Sequence, residues 1–170
     1  MKKRIPLREL IIFSLLSALM VIGQILFESI PNVHPIAALI VVYTLVYRAK
    51  ALIPIYVYVL IQGIRFGFNM WWAPYLYVWL VLWGITMLLP RKMPTAVEAF
   101  VYPAVNALHG LLFGTLSAPL FALLSGLNFD GMIKWIIAGL PFDALHAVGN
   151  LVAGLLILPI SKVLRKLENK

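Results

Sequence analysis

Asp143, His146 and Asn150 stand at i, i+3 and i+7 inside an otherwise apolar stretch. That spacing lines them along one stripe of a helix. Asn106 and His109 stand at i and i+3 inside another apolar stretch. Two helices that each carry a polar stripe are expected to face one another or a shared cavity. Three kinds of chemistry follow from these residue types. They can hydrogen-bond between helices and fix packing. They can line a pocket for a small polar ligand. Asp143, His146 and His109 can also supply three ligands to a metal ion. No recognised metal signature accompanies them, so no metal site is assigned.

A second group lies in the segments between the apolar stretches. Residues 69–79 hold five aromatic rings in eleven positions, among them Trp71, Trp72, Tyr75 and Trp79, with Asn69 at the start. Trp and Tyr gather at membrane interfaces. They also wall pockets for planar ligands, where stacking and indole or phenol hydrogen bonds provide fit. Arg65 either sits at the interface or binds a ligand carboxylate or phosphate. Glu28, Asn32 and His34 make a further polar group between the first two apolar stretches.

Common catalytic signatures are missing. The chain contains no Walker phosphate loop, no GxSxG elbow and no HExxH motif. It has no cysteine, hence no disulfide and no thiolate chemistry. No TVGYG-type filter or arginine-rich sensor helix is present. The balance leans away from an enzyme and away from a familiar ion channel.

The elements that position these side chains are membrane helices. Of the 170 residues, 63% are hydrophobic, and the mean hydropathy is +0.98. A soluble domain is nearer about 45–50% apolar, and a chain this small cannot hide such an excess in one core. Apolar runs are expected to span at about residues 9–27, 36–47, 51–64, 73–89, 99–124 and 132–164. The first is read as an uncleaved helix, since no small-residue cleavage site follows it. A net charge of +8 sits in short runs between the apolar stretches, which is a topology signal and not a nucleic-acid footprint. With six spans, one side holds Lys2, Lys3, Arg4, Arg8, Arg48, Lys50, Arg91, Lys92, Lys162, Arg165, Lys166 and Lys170, twelve in all, against Arg65 and Lys134 on the other. The expectation is one all-α domain over residues 1–170, with six transmembrane helices and both termini cytoplasmic. The segments 28–34, 65–72 and 125–131 then face outward.

This pattern resembles the substrate-binding S components of energy-coupling factor (ECF) transporters, bacterial vitamin-uptake systems. The resemblance rests on the basic start running into Leu7-Arg8-Glu9-Leu10 and on the small residues Ser14 to Ala18. It rests more specifically on the ending, Gly139-Leu140-Pro141-Phe142-Asp143-Ala144-Leu145-His146-Ala147-Val148-Gly149-Asn150, continuing to Pro159 and Lys162. Serine at position 14 departs from the family's alanine pair but is also small. The resemblance implies a plasma-membrane protein that binds a vitamin-like molecule from outside. It implies docking, through Ser14 and Ala18, onto a transmembrane coupling subunit that carries two ATPase subunits, with no catalysis or cofactor of its own. It places the pocket at Asn32, His34, Arg65, Asn69, Trp71, Trp72, Tyr75, Trp79, Asn106, His109, Asp143, His146 and Asn150. The ring-rich segment favours a planar heteroaromatic compound, such as a flavin, pyrimidine or pyridine vitamin. Cobalamin, pantothenate and queuosine precursors stay open. An intramembrane enzyme and a stand-alone small transporter are the alternatives.

Overall fold

The computed structural model describes residues 6–30 and 32–168. Lys2, Lys3, Arg4 and Lys170, which contribute to the charge asymmetry, lie outside the described residues. All regular structure among the described residues is helical: α1 (Leu7–Leu26), α2 (Ile36–Tyr47), a 3-10 turn (Arg48–Ala51), α3 (Leu52–Phe66), α4 (Tyr75–Leu88), α5 (Thr95–Leu111), α6 (Phe113–Ser125), α7 (Phe129–Gly154) and α8 (Ile157–Glu168).

The centre is α2. Every residue from Ile36 to Thr44 is buried, and α4, α8, α5, α1 and α7 all pack around it. A helix apolar on every side has no solvent face to offer, and an interior position is where it is stable. The outer surface is apolar too: Leu15, Phe100, Leu123, Val148 and Leu155 are all exposed. A continuous apolar exterior of this kind is suited to lipid. Among the described residues four stretches are long and apolar enough to cross a membrane, Leu7–Leu26, Ile36–Phe66, Thr95–Ser125 and Phe129–Gly154, and Tyr75–Leu88 is apolar but shorter. The second of these is not one straight rod. Arg48 has φ 54° and ψ −123°, a left-handed conformation that interrupts the helix between α2 and α3.

Two expected helices are each divided in the structure, for different reasons. The stretch 99–124 breaks at Leu112. The Gly114 amide, which would continue the ladder, instead donates to Asp143 Oδ1 at 3.0 Å. Asp143 thereby caps the start of α6 from another helix, and a carboxylate there also meets the positive end of the helix dipole. The stretch 132–164 breaks at Leu155–Leu156. Pro159 lies four residues beyond Leu155, so its ring opposes the Leu155 carbonyl and its missing N–H leaves that carbonyl without a helical donor.

The seam between α5 and α7 is the most closely packed in the molecule. Asn106 Nδ2 donates to the Asn150 carbonyl at 2.6 Å, and Asn150 Nδ2 returns the bond to the Asn106 carbonyl at 3.1 Å. Glycines flank this exchange. A Cβ on Gly154 would lie 2.7 Å from Pro103 Cα, and one on Gly110 would lie 2.9 Å from the His146 carbonyl oxygen. Small residues let the backbones approach closely enough for the amides to reach across.

Polar ties gather the chain at two ends. At one, Lys50 pairs with Glu9 at 2.7 Å, Arg48 Nη2 donates to the Met87 carbonyl at 2.8 Å, and Tyr47 donates to Glu168 at 3.0 Å. At the other, Arg65 pairs with Glu28 at 3.2 Å. Ser14 and Ala18 lie on the exposed face of α1. The Ser14 hydroxyl donates to the Leu10 carbonyl at 2.8 Å within its own helix. Neither residue is used to pack the bundle.

Candidate functional site

The segment between α3 and α4 is shaped by one side chain. Asn69 Oδ1 accepts from the amides of Trp71 and Trp72 at 2.9 and 3.1 Å, and its Nδ2 donates to the Phe66 carbonyl at 3.0 Å. Those three bonds fold residues 66–72 into a tight turn. Trp72 Nε1 donates to the Val59 carbonyl at 2.8 Å and anchors its ring on α3. Trp71 is left facing outward, 63% exposed.

Trp71 separates two cavities. The first, about 400 Å³, is lined by Asn32, Trp71, Phe113, Gly114, Ser117, Trp135, Phe142 and Asp143 among others. The second, about 360 Å³, is lined by Gln62, Phe66, Asn69, Trp71, Trp72 and Tyr75. Both fall in the size range of small-molecule pockets. The wall of the first is aromatic: Phe121 and Trp135 stack at 4.7 Å and 24°, and the Trp71 ring lies 4.7 Å from Phe121. Asn32, at φ 58°, donates its amide to the Phe142 carbonyl at 3.3 Å, which ties the backbone at Asn32 to α7.

Beneath the cavities lies a buried aromatic and imidazole cluster. Trp79 is 1% exposed. Its ring is 5.5 Å from Tyr75, 5.6 Å from His109 and 5.5 Å from Phe113. Phe113 in turn lies 4.9 Å from His146, and His146 lies 5.1 Å from His34. All three histidines of the chain meet here. His109 Nε2 is 3.1 Å from the Val78 carbonyl. Hydrogen-bonding capacity is left over in this region. His34 Nδ1, His109 Nδ1, His146 Nε2, Trp79 Nε1, both polar atoms of the Gln62 amide and Asp143 Oδ2 are buried with no protein partner. Buried polar atoms are ordinarily satisfied; Asn106 Oδ1 and Asn150 Oδ1 in the α5–α7 seam and Arg48 Nε at the opposite end are unpartnered as well.

The residues singled out from sequence divide into two sets. Asn32, Trp71 and Asp143 line the first cavity and Asn69, Trp72 and Tyr75 the second, while His34, Trp79, His109 and His146 line neither and cluster behind Tyr75 and Phe113, with His34 bordering a separate apolar cavity beside Phe27 and Leu145. Three residues lie elsewhere. Arg65 is committed to Glu28 and sits 4.7 Å over the Phe66 ring. Asn106 and Asn150 serve the helix seam. Asp143, His146 and His109 do not converge as metal ligands. Asp143 turns to Gly114, His109 to Val78, and no group of three or more metal-ligating side chains occurs among the described residues.

Sequence reasoning missed Gln62, Phe113, Ser117, Trp135 and Phe142. Gln62 had a signal, as a lone amide within an apolar span. Ser117 gave little, since a serine can satisfy its hydroxyl on its own helix, as here on the Phe113 carbonyl, and the rest gave none, because an apolar residue lining a pocket reads the same as one facing lipid.

His34 lies between α1 and α2, and burial, reinforced by the His109 imidazole, holds it down at about 4. Its folded value therefore lies below the ordinary 6.5. Between those limits the unfolded chain binds a proton that the folded chain does not, so stability is present above the window and falls as pH drops through it. Stability against thermal unfolding in detergent is expected to fall by about 1.4 kcal/mol from this one group for each pH unit lowered within that window. His34→Gln should flatten the profile by that amount; an unchanged slope would place the sensitivity in other groups.

No protein-family model matches the chain, and neither does any curated protein or solved structure.

Proposed function

We propose that the chain crosses a bacterial plasma membrane six times, with both termini cytoplasmic, and serves as the substrate-binding S component of an ECF-type importer. In this reading it captures a vitamin-like small molecule from outside. Transport is driven by a transmembrane coupling subunit with two ATPase subunits, and this chain performs no catalysis and carries no cofactor. The observation that carries the reading is the pair of cavities divided by Trp71, with the unpartnered polar atoms of Asp143 in the lining of one and of Gln62 in the lining of the other, at the end of the bundle away from Lys50 and Arg48. A pocket walled by Trp71, Trp135 and Phe142 suits a planar ring system, and Asn32, Ser117 and Asp143 in the same lining suit ring nitrogens or exocyclic groups. The six passes draw support from the polar ties: the start of α1 and the ends of α2, α4 and α8 share one end, while Glu28 and Arg65 share the other.

The exposed pair Ser14 and Ala18 is the surface on which this reading places the coupling subunit. A helix meeting small residues can approach closely, and a large side chain there blocks it. Ala18→Trp is expected to leave ligand binding within about twofold while uptake by cells carrying the partner subunits falls by about tenfold or more. Uptake at the wild-type rate would remove α1 as the docking face.

The direct test is mass spectrometry of small molecules released by denaturing protein purified in mild detergent from cells grown in rich medium. One vitamin-like compound at near-equal molar amount is expected. A protein that releases none, and that gains no thermal stability from a panel of vitamins, would overturn the binding role.

A further inference from the structure

At the end opposite the aromatic cavities, Leu45, Arg48, Pro90, Arg91 and Arg165 line a cavity of about 280 Å³. Three guanidinium groups thus share one small space. Among the described residues none of the three forms an ion pair with a carboxylate, and Glu98 reaches Arg165 through the Tyr102 hydroxyl. The chain holds six acidic side chains, and each is engaged elsewhere. Glu9 pairs with Lys50, Glu28 with Arg65 and Asp130 with Lys134. Asp143 accepts from the Gly114 amide, Glu98 from Tyr102 and Glu168 from Tyr47.

The arrangement is also built, not a loose gathering of surface charge. Arg48 is held in a left-handed backbone conformation, its carbonyl accepts from Trp83 Nε1 at 3.1 Å, and its Nη2 donates to the Met87 carbonyl at 2.8 Å. Its Nε is buried with no partner. Arg165 Nη2 donates to the Leu45 carbonyl at 3.4 Å. Two of the three guanidiniums are therefore positioned by backbone carbonyls, with most of their five donors each still free. Like charges around one cavity repel unless an anion lies among them. Phosphate, with its tetrahedral oxygens, is the anion that arginine forks match best.

We propose that this cavity binds one phosphate group. It opens where the apolar helices α2 and α4 and the amphipathic, basic α8 end, which is the level of lipid headgroups. An anionic phospholipid and free inorganic phosphate present the same chemistry to it.

The full chain in detergent is titrated with phosphatidylglycerol, phosphatidylcholine and inorganic phosphate, and bound lipid is counted by native mass spectrometry alongside melting temperature. Phosphatidylglycerol is expected to be retained about tenfold over phosphatidylcholine, which carries the same phosphodiester but adds a choline cation that the three guanidiniums repel. Arg91 is exposed and donates no hydrogen bond among the described residues, so Arg91→Gln leaves the fold intact and should abolish the preference. Lys134→Gln, at the far end, should preserve it. Stabilisation by the lipid alone assigns the site to a headgroup; equal stabilisation by inorganic phosphate, also lost in Arg91→Gln, assigns it to the free ion. Equal retention of both lipids with no phosphate effect, or a preference that survives both Arg91→Gln and Arg165→Gln, overturns the proposal.

Discussion

Gly154→Val is expected to lower stability by about 3–5 kcal/mol, among the largest effects of any single substitution in this chain. A Cβ at that position would meet Pro103 Cα at 2.7 Å, and backbone cannot swing aside as a flexible side-chain end does. The two helices must separate, and the separation acts on the Asn106–Asn150 exchange, whose donor–acceptor distances of 2.6 and 3.1 Å leave little slack. Loss of that exchange strands two amide groups in an apolar seam, adding about 1–3 kcal/mol for each unsatisfied group. Gly110→Val should act the same way, against the His146 carbonyl oxygen at 2.9 Å. The control is Gly84→Ala. Nothing lies within 4 Å of its added Cβ, and alanine is the better helix former by about 1 kcal/mol. Melting in detergent, followed by tryptophan fluorescence, should drop on the order of 10 °C for the first two variants and hold or rise for the third. A Gly154→Val protein that melts like the parent would mean the seam is wider than described.

Trp71→Ala is expected to weaken ligand binding by roughly 10–100-fold, the scale of one lost aromatic stack, without lowering the melting temperature. The separation of the two effects follows from geometry. Trp71 is 63% exposed and its amide, not its ring, is what Asn69 holds. Its ring is the wall common to both cavities. Removing it opens each cavity to the other while the turn persists. Arg65→Ala is the contrast. That guanidinium pairs with Glu28 and lines neither cavity, so binding of a neutral ligand should stay within about twofold, a surface ion pair contributing at most about 1 kcal/mol. The measurement is the amount of ligand that copurifies, followed by titration of the emptied protein. Unchanged affinity in Trp71→Ala would move the ligand away from the cavities. A large loss in Arg65→Ala would mean that the ion pair with Glu28 opens to receive the ligand.

Much of the helical organisation was legible from local pattern. The apolar runs, the basic turn at Arg48–Lys50 and the breaks at 28–35 and 90–94 each depend on a window of about twenty residues, the length over which hydropathy and turn chemistry act. The small residues Gly110, Gly114, Gly149, Ala153 and Gly154 were recognisable as internal packing surface, and Gly110 and Gly154 now have α7 and α5 backbone, respectively, against them.

What local pattern left open were matters of long-range partnership. The break at Leu112 requires Asp143 to take the Gly114 amide across 29 positions, which no window around Leu112 contains. Pro103, Pro119 and Pro141 lie inside continuous helices while the chain breaks before Pro159, so a proline by itself does not mark where a helix ends. Asn106 with Asn150, and Asp143 with His146, looked alike as polar stripes. Packing separated them, turning the first pair into a helix clasp and placing the second beside the cavities. Trp135 became a wall only because α7 brings it to Phe121 and Trp71. Periodicity and composition establish that a helix exists and that lipid can surround it. They are silent on which polar group meets which, because in an apolar medium each such group finds its partner wherever the fold carries one.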